Sequence, residues 1–257
     1  MKIGAQMYTL RAHCQDFNTF VKSMEKVAAM GYKYAQISGG GDFAAKDIRK
    51  TADRYGIEIP LTHTAPQKIR DGTEAVIEAH RILGAGYIGI GMMPEEYRGD
   101  MAGAERFIRD YSPAAEKIAA AGMKLMYHNH AFEFERFGGV SVLERMAEGF
   151  DAETVGFTLD TYWVAYAGAD PAEWLKKLSG RVDTVHFKDM NFAGDGVPGA
   201  PHRMAPVGEG NLNWGAVTEA ARQAGVRWAF AEQDECYDEC AFDCLERSFR
   251  ALTALCP

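Results

Sequence analysis

The sequence predicts an α/β protein, a single (β/α)8 TIM barrel over residues 1–257, and three observations carry that expectation. Eight apolar, β-branched or aromatic runs alternate with eight helix-length segments and no linker interrupts them. Repeated strand-then-helix order implies parallel strands, and eight units imply closure rather than an open sheet. The 257 residues suit the ~250 typical of one such barrel. Finally, Glu133, Asp160, His186 and Glu232 each sit at or just past the end of a strand-like run. Metal-capable groups so far apart in sequence converge only where a fold brings successive strand ends to one rim.

The elements follow in order. A first strand near 2–8 leads to a helix near 17–30, which Gly31 ends; a second near 33–38 leads to 44–55, ended by Gly56. Strand 57–62 precedes helix 70–83, ended by Gly86, and strand 87–91 precedes helix 105–121, ended by Gly122. The remaining strands, near 123–129, 155–160, 182–187 and 227–232, precede helices near 140–149, 171–178, 214–224 and 238–253, with Gly225 after the seventh helix. Strands apolar on both faces are those of a parallel sheet covered on both sides, and glycine after the last helical turn is a common stop. The stretch 190–213 reads as irregular. A loop of that length in a compact domain is more often functional than filler, so it is expected to shape specificity, with GEG at 208–210 turning sharply.

The chemistry-bearing runs are KLMYHNHAFE (124–133), VGFTLD (155–160), VDTVHFKD (182–189) and WAFAEQDE (228–235). Each acid or imidazole stands where its run turns polar, the barrel face that carries active sites. A lone histidine at a strand end is more often a hydrogen-bonded structural group, and a lone aspartate before threonine more often a helix cap. It is their joint placement that makes a site. His63 ends the third strand and Gln6 and Tyr8 the first, so all three should reach the same rim and bind substrate. His128 and His130 alternate with Asn129 and should face the interior together if the strand extends that far. Trp163 and Trp214 offer apolar faces for a sugar, and core packing is an equal reading for each.

Composition narrows the function. Net charge is −8 with no Lys/Arg-rich run, which opposes nucleic acid as the substrate. No apolar stretch approaches the ~20 residues of a membrane span, and the N-terminal MKIGAQMYTLR turns polar too early for a signal peptide, so a cytoplasmic protein without a membrane partner is expected. Five cysteines without paired spacing fit a reducing compartment. Cys236, Cys240 and Cys244 recur every four residues, which on a helix is one packed face.

With these residues placed, the chain resembles the superfamily of xylose-isomerase-like barrels: sugar phosphate isomerases and epimerases, inosose dehydratases and endonuclease IV. The motifs that carry the resemblance are HNHAFEFE (128–135), TLDTYW (158–163), VHFKD (185–189), VGEGNLNW (207–214) and AEQDE (231–235), and the HNH-x-x-E form points to the sugar-enzyme members. The resemblance implies one divalent ion held by Glu133, Asp160, His186 and Glu232, with His128 or His130 as alternatives at the first position. An oxygen-rich set with one imidazole suits Mn²⁺ first, with Mg²⁺, Co²⁺ or Zn²⁺ as alternatives.

The expected activity is isomerisation or epimerisation of a sugar, keto-sugar or polyol by proton abstraction beside a carbonyl, through an enediolate. Glu232 and Glu133 are the candidate bases, and Lys188 and His130 the candidate acids or oxyanion partners. Lys188 has a second reading, a surface lysine paired with Asp189. His202 and Arg203 are expected substrate contacts; without a Gly-rich cradle beside them, a free or oxidised sugar is favoured over a phosphate. Dehydration or β-elimination on an inosose or keto-glycoside is the alternative, and a non-catalytic sugar-binding barrel the alternative of another class. The three-zinc chemistry of endonuclease IV is rejected, because Trp163, His202 and Met204 stand where its additional ligands would be, and methionine suits Zn²⁺ poorly. A homo-oligomer is compatible with all of these.

Overall fold

The eight apolar runs form one parallel sheet in the computed structural model, which describes residues 1–192, 199 and 201–256. The strands are β1 (Lys2–Gln6), β2 (Tyr34–Gln36), β3 (Leu61–His63), β4 (Tyr87–Ile90), β5 (Lys124–His128), β6 (Val155–Asp160), β7 (Thr184–Phe187) and β8 (Trp228–Ala231). They are hydrogen-bonded in the order β2-β1-β8-β7-β6-β5-β4-β3, and parallel bridges Tyr34–Glu58 and Ile37–Thr62 join β2 to β3. The sheet therefore wraps into a barrel, as the eight-unit pattern predicts.

The side chains alternate as strand geometry requires. One set meets the helices in a large apolar core that includes Ile88, Leu125, Phe157, Leu159, Val185 and Ala229. The other fills the barrel. Leu61, Tyr87, Met126, Trp228 and Phe230 form a separate buried cluster there, and the Thr158 and Thr184 hydroxyls share a buried 2.6 Å hydrogen bond. Gly4 is required by this filling, because a Cβ on it would stand 2.6 Å from the Phe230 ring. Two residues further along β3, β5, β6, β7 and β8 come His63, His128, Asp160, His186 and Glu232. The packed layer is thus the floor on which the polar rim stands.

Helices Phe17–Ala29, Ala45–Tyr55, Thr73–Leu83, Met101–Ala120, Val142–Gly149, Pro171–Lys177, Trp214–Gln223 and Ala241–Leu255 cover the outside. Asp16, Asp100, Asp170 and Asn213 cap theirs, and Ser141 with Glu144 forms a reciprocal capping box. Three expectations change. Gly84, left-handed at φ 73, ends the Thr73–Leu83 helix, and Gly86 does not. The last helix starts at Ala241, so Cys236 precedes it, Cys240 is its exposed cap and only Cys244 is buried in it; the three share no packed helix face. The stretch 190–213 is not wholly irregular, since Asp189–Phe192 pairs antiparallel with His202–Ala205. Residues 193–198 and 200 of that stretch lie outside the described residues. No helix among the described residues is long and apolar enough to cross a membrane.

Candidate metal centre

The site grows out of strand register. Asp160 is the register partner of His186, and His186 of Phe230, two residues before Glu232. His128 lies two strands away at the end of β5, beside Thr158. One ligand atom from each of His128, Asp160, His186 and Glu232 lies within 4.8 Å of the others, and all four residues are buried.

The surrounding hydrogen bonds orient both imidazoles. His128 Nδ1 is 2.9 Å from the Gly91 carbonyl, which only accepts, so Nδ1 carries the proton and Nε2 faces Asp160 Oδ2 at 3.2 Å. Gly91 must be glycine for this approach, as a Cβ there would stand 2.9 Å from His63 Nδ1. His186 Nε2 is 2.7 Å from Gln36 Oε1, which leaves Nδ1 turned towards Glu232 Oε2 at 2.8 Å. Neither His186 Nδ1 nor Glu232 Oε2 has a hydrogen-bond partner. Two acceptors so close without a bond between them converge on a common point, as ligands of one cation do. Asp160 has both roles weighed from the sequence: Oδ1 caps helix Thr161–Tyr166 by accepting from Trp163 N at 3.0 Å, while Oδ2 faces the cluster.

Charge points the same way. The Lys188 ammonium, 1% exposed, stands 2.9 Å from Asp160 Oδ2, 3.1 Å from Glu232 Oε2 and 3.0 Å from Asp234 Oδ1. With the imidazoles neutral, three carboxylates against one ammonium leave two negative charges, the charge of one divalent cation. An uncompensated buried charge costs about 3–5 kcal/mol, so a bound cation would stabilise the group. Burial disfavours the charged forms of all these groups, but mutual attraction outweighs it: Lys188 is held well above its usual range, and Asp160 and Glu232 below theirs. Burial lowers His186, and burial and neighbouring imidazoles lower His63 well below the ordinary value. His128 is also buried, yet Asp160 and Glu232 raise it. Burial pushes Asp234 up to about 6. The donor set of two imidazoles and two carboxylates fits a divalent ion such as Mn²⁺ or Zn²⁺.

Glu133 is the correction. Its carboxylate accepts from Tyr127 Oη at 2.5 Å and from His130 N at 2.9 Å, and it is absent from the cluster. The strand stops at His128, and Glu133 lies in a 3-10 turn, Phe132–Phe134, that carries its side chain behind the rim. His128 takes the fourth position, and Glu133 has neither the ligand geometry nor the access a base needs.

The cluster opens into a cavity of about 510 Å³ whose lining includes Tyr8, His63, His130, Trp163, Lys188 and Asp234. His130 reaches it from beyond the strand, its ring 4.8 Å from that of His128. Gln6 is buried below, accepting from Tyr8 N. His202 and Arg203 do not line this cavity: His202 is edge-on to Tyr166, and Arg203 lies over the Tyr237 ring. Trp214 is a core residue whose Nε1 donates to Asp189 Oδ2 at 2.6 Å. Lys188 pairs with the cluster acids and not with Asp189, whose Oδ2 also accepts from Gly208 N and Gly210 N. Sequence reasoning missed Asp234, though it lies two residues past Glu232, and Gln36, though it ends β2 as Gln6 ends β1. A cavity of about 630 Å³ between helices Ala45–Tyr55 and Thr73–Leu83 shares the His63 and Ser38 wall but contains none of the cluster residues.

Residues 24–240 match the family model of the xylose isomerase-like TIM barrel. The chain belongs to that family. Among solved structures, a sugar phosphate isomerase/epimerase from Parabacteroides distasonis superposes with a TM-score of 0.82 at 23% identity, covering 98% of this chain and 93% of that one. The IOLI protein, solved with a bound zinc atom, superposes with a TM-score of 0.74 at 14% identity, covering 99% and 98%. These likenesses show the fold. An inosose dehydratase of Clostridium perfringens is 24% identical over 193 residues, 67% of this chain and 64% of that relative. The match thus spans less than two thirds of the relative's length.

Proposed function

We propose that this family member is a divalent-metal-dependent isomerase or epimerase of a sugar, keto-sugar or related polyol. The observation that carries the reading is the convergence of His128, Asp160, His186 and Glu232, with His186 Nδ1 and Glu232 Oε2 lacking a hydrogen bond. When bound there, a divalent ion supplies Lewis-acid polarisation of a carbonyl oxygen; Mn²⁺ is our first choice, and Zn²⁺ is found in one structural neighbour.

The chain's own residues supply the rest. Glu232 lines the cavity, and with Oε2 turned to the ion its other carboxylate oxygen takes the proton from the carbon beside the carbonyl, giving an enediolate. The imidazoles of His63 and His130 line the same cavity and hold substrate hydroxyls. Lys188, kept as an ammonium by three carboxylates, faces the oxygen on which negative charge develops. Tyr8 and Trp163 form apolar wall. Return of the proton to the neighbouring carbon or the opposite face completes isomerisation or epimerisation.

Dehydration is the second reading, and Lys188 favours it, since an ammonium beside the substrate protonates a departing hydroxyl; the inosose dehydratase relatives agree. The experiment is solvent deuterium uptake by NMR, with metal-loaded protein and a panel of keto-sugars and inososes. Uptake at the carbon beside the carbonyl supports proton abstraction, and the product separates isomer from dehydrated ketone. No uptake from any member, with metal bound, contradicts the proposal.

A further inference from the structure

The surroundings of the cavity identify a class of substrate, resting on the proton-abstraction reading above. Lys188 is its only lysine among the described lining residues, no arginine lines it, and the ammonium is already engaged by Asp160, Glu232 and Asp234. A phosphate dianion would therefore meet carboxylates and no free cation. What the wall offers instead is neutral hydrogen-bonding capacity. His63 Nε2, His130 Nδ1 and Trp163 Nε1 are buried without a partner, and hydroxyl groups, which both donate and accept, satisfy such atoms.

The aromatic surface does not end at the cavity. The Trp163 ring faces the cluster on one side, with Lys188 Nζ 5.7 Å from its centroid. Tyr166, which does not itself line the cavity, stands edge-on to Trp163, centroids 5.6 Å apart, and is 51% exposed. His202 is edge-on to Tyr166 at 6.0 Å. An exposed aromatic packed on a ring that lines the cavity is a platform for a ring that lies outside it. A cavity of about 510 Å³, within the roughly 300–1,000 Å³ of sites for drug-sized ligands, leaves room for more than one small ring.

We propose that the substrate is an uncharged keto-glycoside, whose polyhydroxy ring carries the ketone and sits at the metal cluster and whose second ring stacks on Tyr166; ketone-free pyranosides report that binding without turnover. The second ring is aryl or sugar, since both present an apolar face. The test is calorimetric titration of the metal-loaded protein with methyl and phenyl β-pyranosides of the gluco, galacto and xylo series, with cellobiose and with glucose 6-phosphate.

The expected result is that phenyl pyranosides or cellobiose bind about tenfold tighter than the methyl pyranosides, the upper end of one aromatic contact; which of the two gains identifies the ring as aryl or sugar. The advantage should survive in Tyr166→Phe and shrink to within about threefold in Tyr166→Ala. Equal binding of methyl, phenyl and disaccharide ligands overturns the proposal, as does an advantage that persists in Tyr166→Ala. So do binding by none of the pyranosides and glucose 6-phosphate binding tightest. Deuterium uptake from inososes without a second-ring advantage removes this inference alone; a second-ring advantage without uptake from any keto-sugar removes the reaction and leaves the ligand class.

Discussion

Two glutamates buried in this barrel, Glu133 and Glu232, are opposites. Around Glu133 every strong acceptor is matched: Tyr127 donates to one carboxylate oxygen and His130 N to the other. Around Glu232 the arrangement is unmatched, with His186 Nδ1 and Glu232 Oε2 2.8 Å apart, no hydrogen bond on either and only the Lys188 ammonium, 3.1 Å from Oε2, as counter-charge. Both glutamates are buried. Burial alone therefore does not distinguish a ligand from a structural acid; unsatisfied, convergent donor atoms do.

The comparison is sharpened most by Glu232→Gln, which should lower deuterium uptake by about 10²–10⁴-fold, the worth of one positioned proton acceptor. The circular dichroism spectrum should be unchanged, and a variant that exchanges at the wild-type rate with metal bound would remove Glu232 from the base role. Next is Gln36→Leu. Without the carboxamide that fixes its Nε2–H, His186 is free to turn, and metal affinity should fall by about 10–100-fold in a calorimetric titration. An unchanged affinity would show that the Gln36 bond does not orient the imidazole.

Lys188→Met tests the charge argument, because the ammonium and the ion answer the same carboxylates. Metal affinity should rise by about tenfold, on the order of 1.4 kcal/mol, while the metal-free protein melts at a lower temperature. A weaker affinity would mean that Lys188 supports the ion rather than competing with it.

The smallest effect on activity belongs to Glu133→Gln, within about threefold, but its stability signature is distinct. Burial pushes the Glu133 carboxyl up to about 7 from an ordinary value of 4.5, so between those values the folded chain keeps a proton that the unfolded chain has lost. Stability then falls as pH rises from about 4.5 to about 7 and levels off above, by on the order of 3 kcal/mol. Melting curves at pH 5 and pH 8 should show that fall in the wild type and a smaller one in Glu133→Gln; equal slopes would contradict it.

The barrel was legible in the sequence because its signals are local: apolar runs of strand length, helix-length segments between them, and glycines such as Gly56 and Gly122 where helices end. Asp160, His186 and Glu232 are legible because each stands within one residue of a strand's end and belongs to the same cluster. Glu133 lies outside the cluster, and His128 within it, because counting along HNHAFE assumes a direction that the chain abandons after His128, before the 3-10 turn Phe132–Phe134. Gln36 was not legible, since its partner His186 is 150 residues away. Asp189 was read as a partner for Lys188 because adjacent opposite charges invite it, yet its oxygens hold the Gly208–Trp214 turn. The Asp189–Phe192 and His202–Ala205 pair was missed because DMNF and HRMA show no alternation of apolar and polar residues. Cys236 and Cys240 were misplaced because a four-residue spacing says nothing about where a helix starts.

The most direct test of the central contrast is metal content by plasma mass spectrometry on wild type, Asp160→Ala, His186→Ala and Glu133→Gln. The account predicts about one divalent ion per chain in the wild type and in Glu133→Gln, and none in the other two. An ion lost from Glu133→Gln and retained in Asp160→Ala would contradict it.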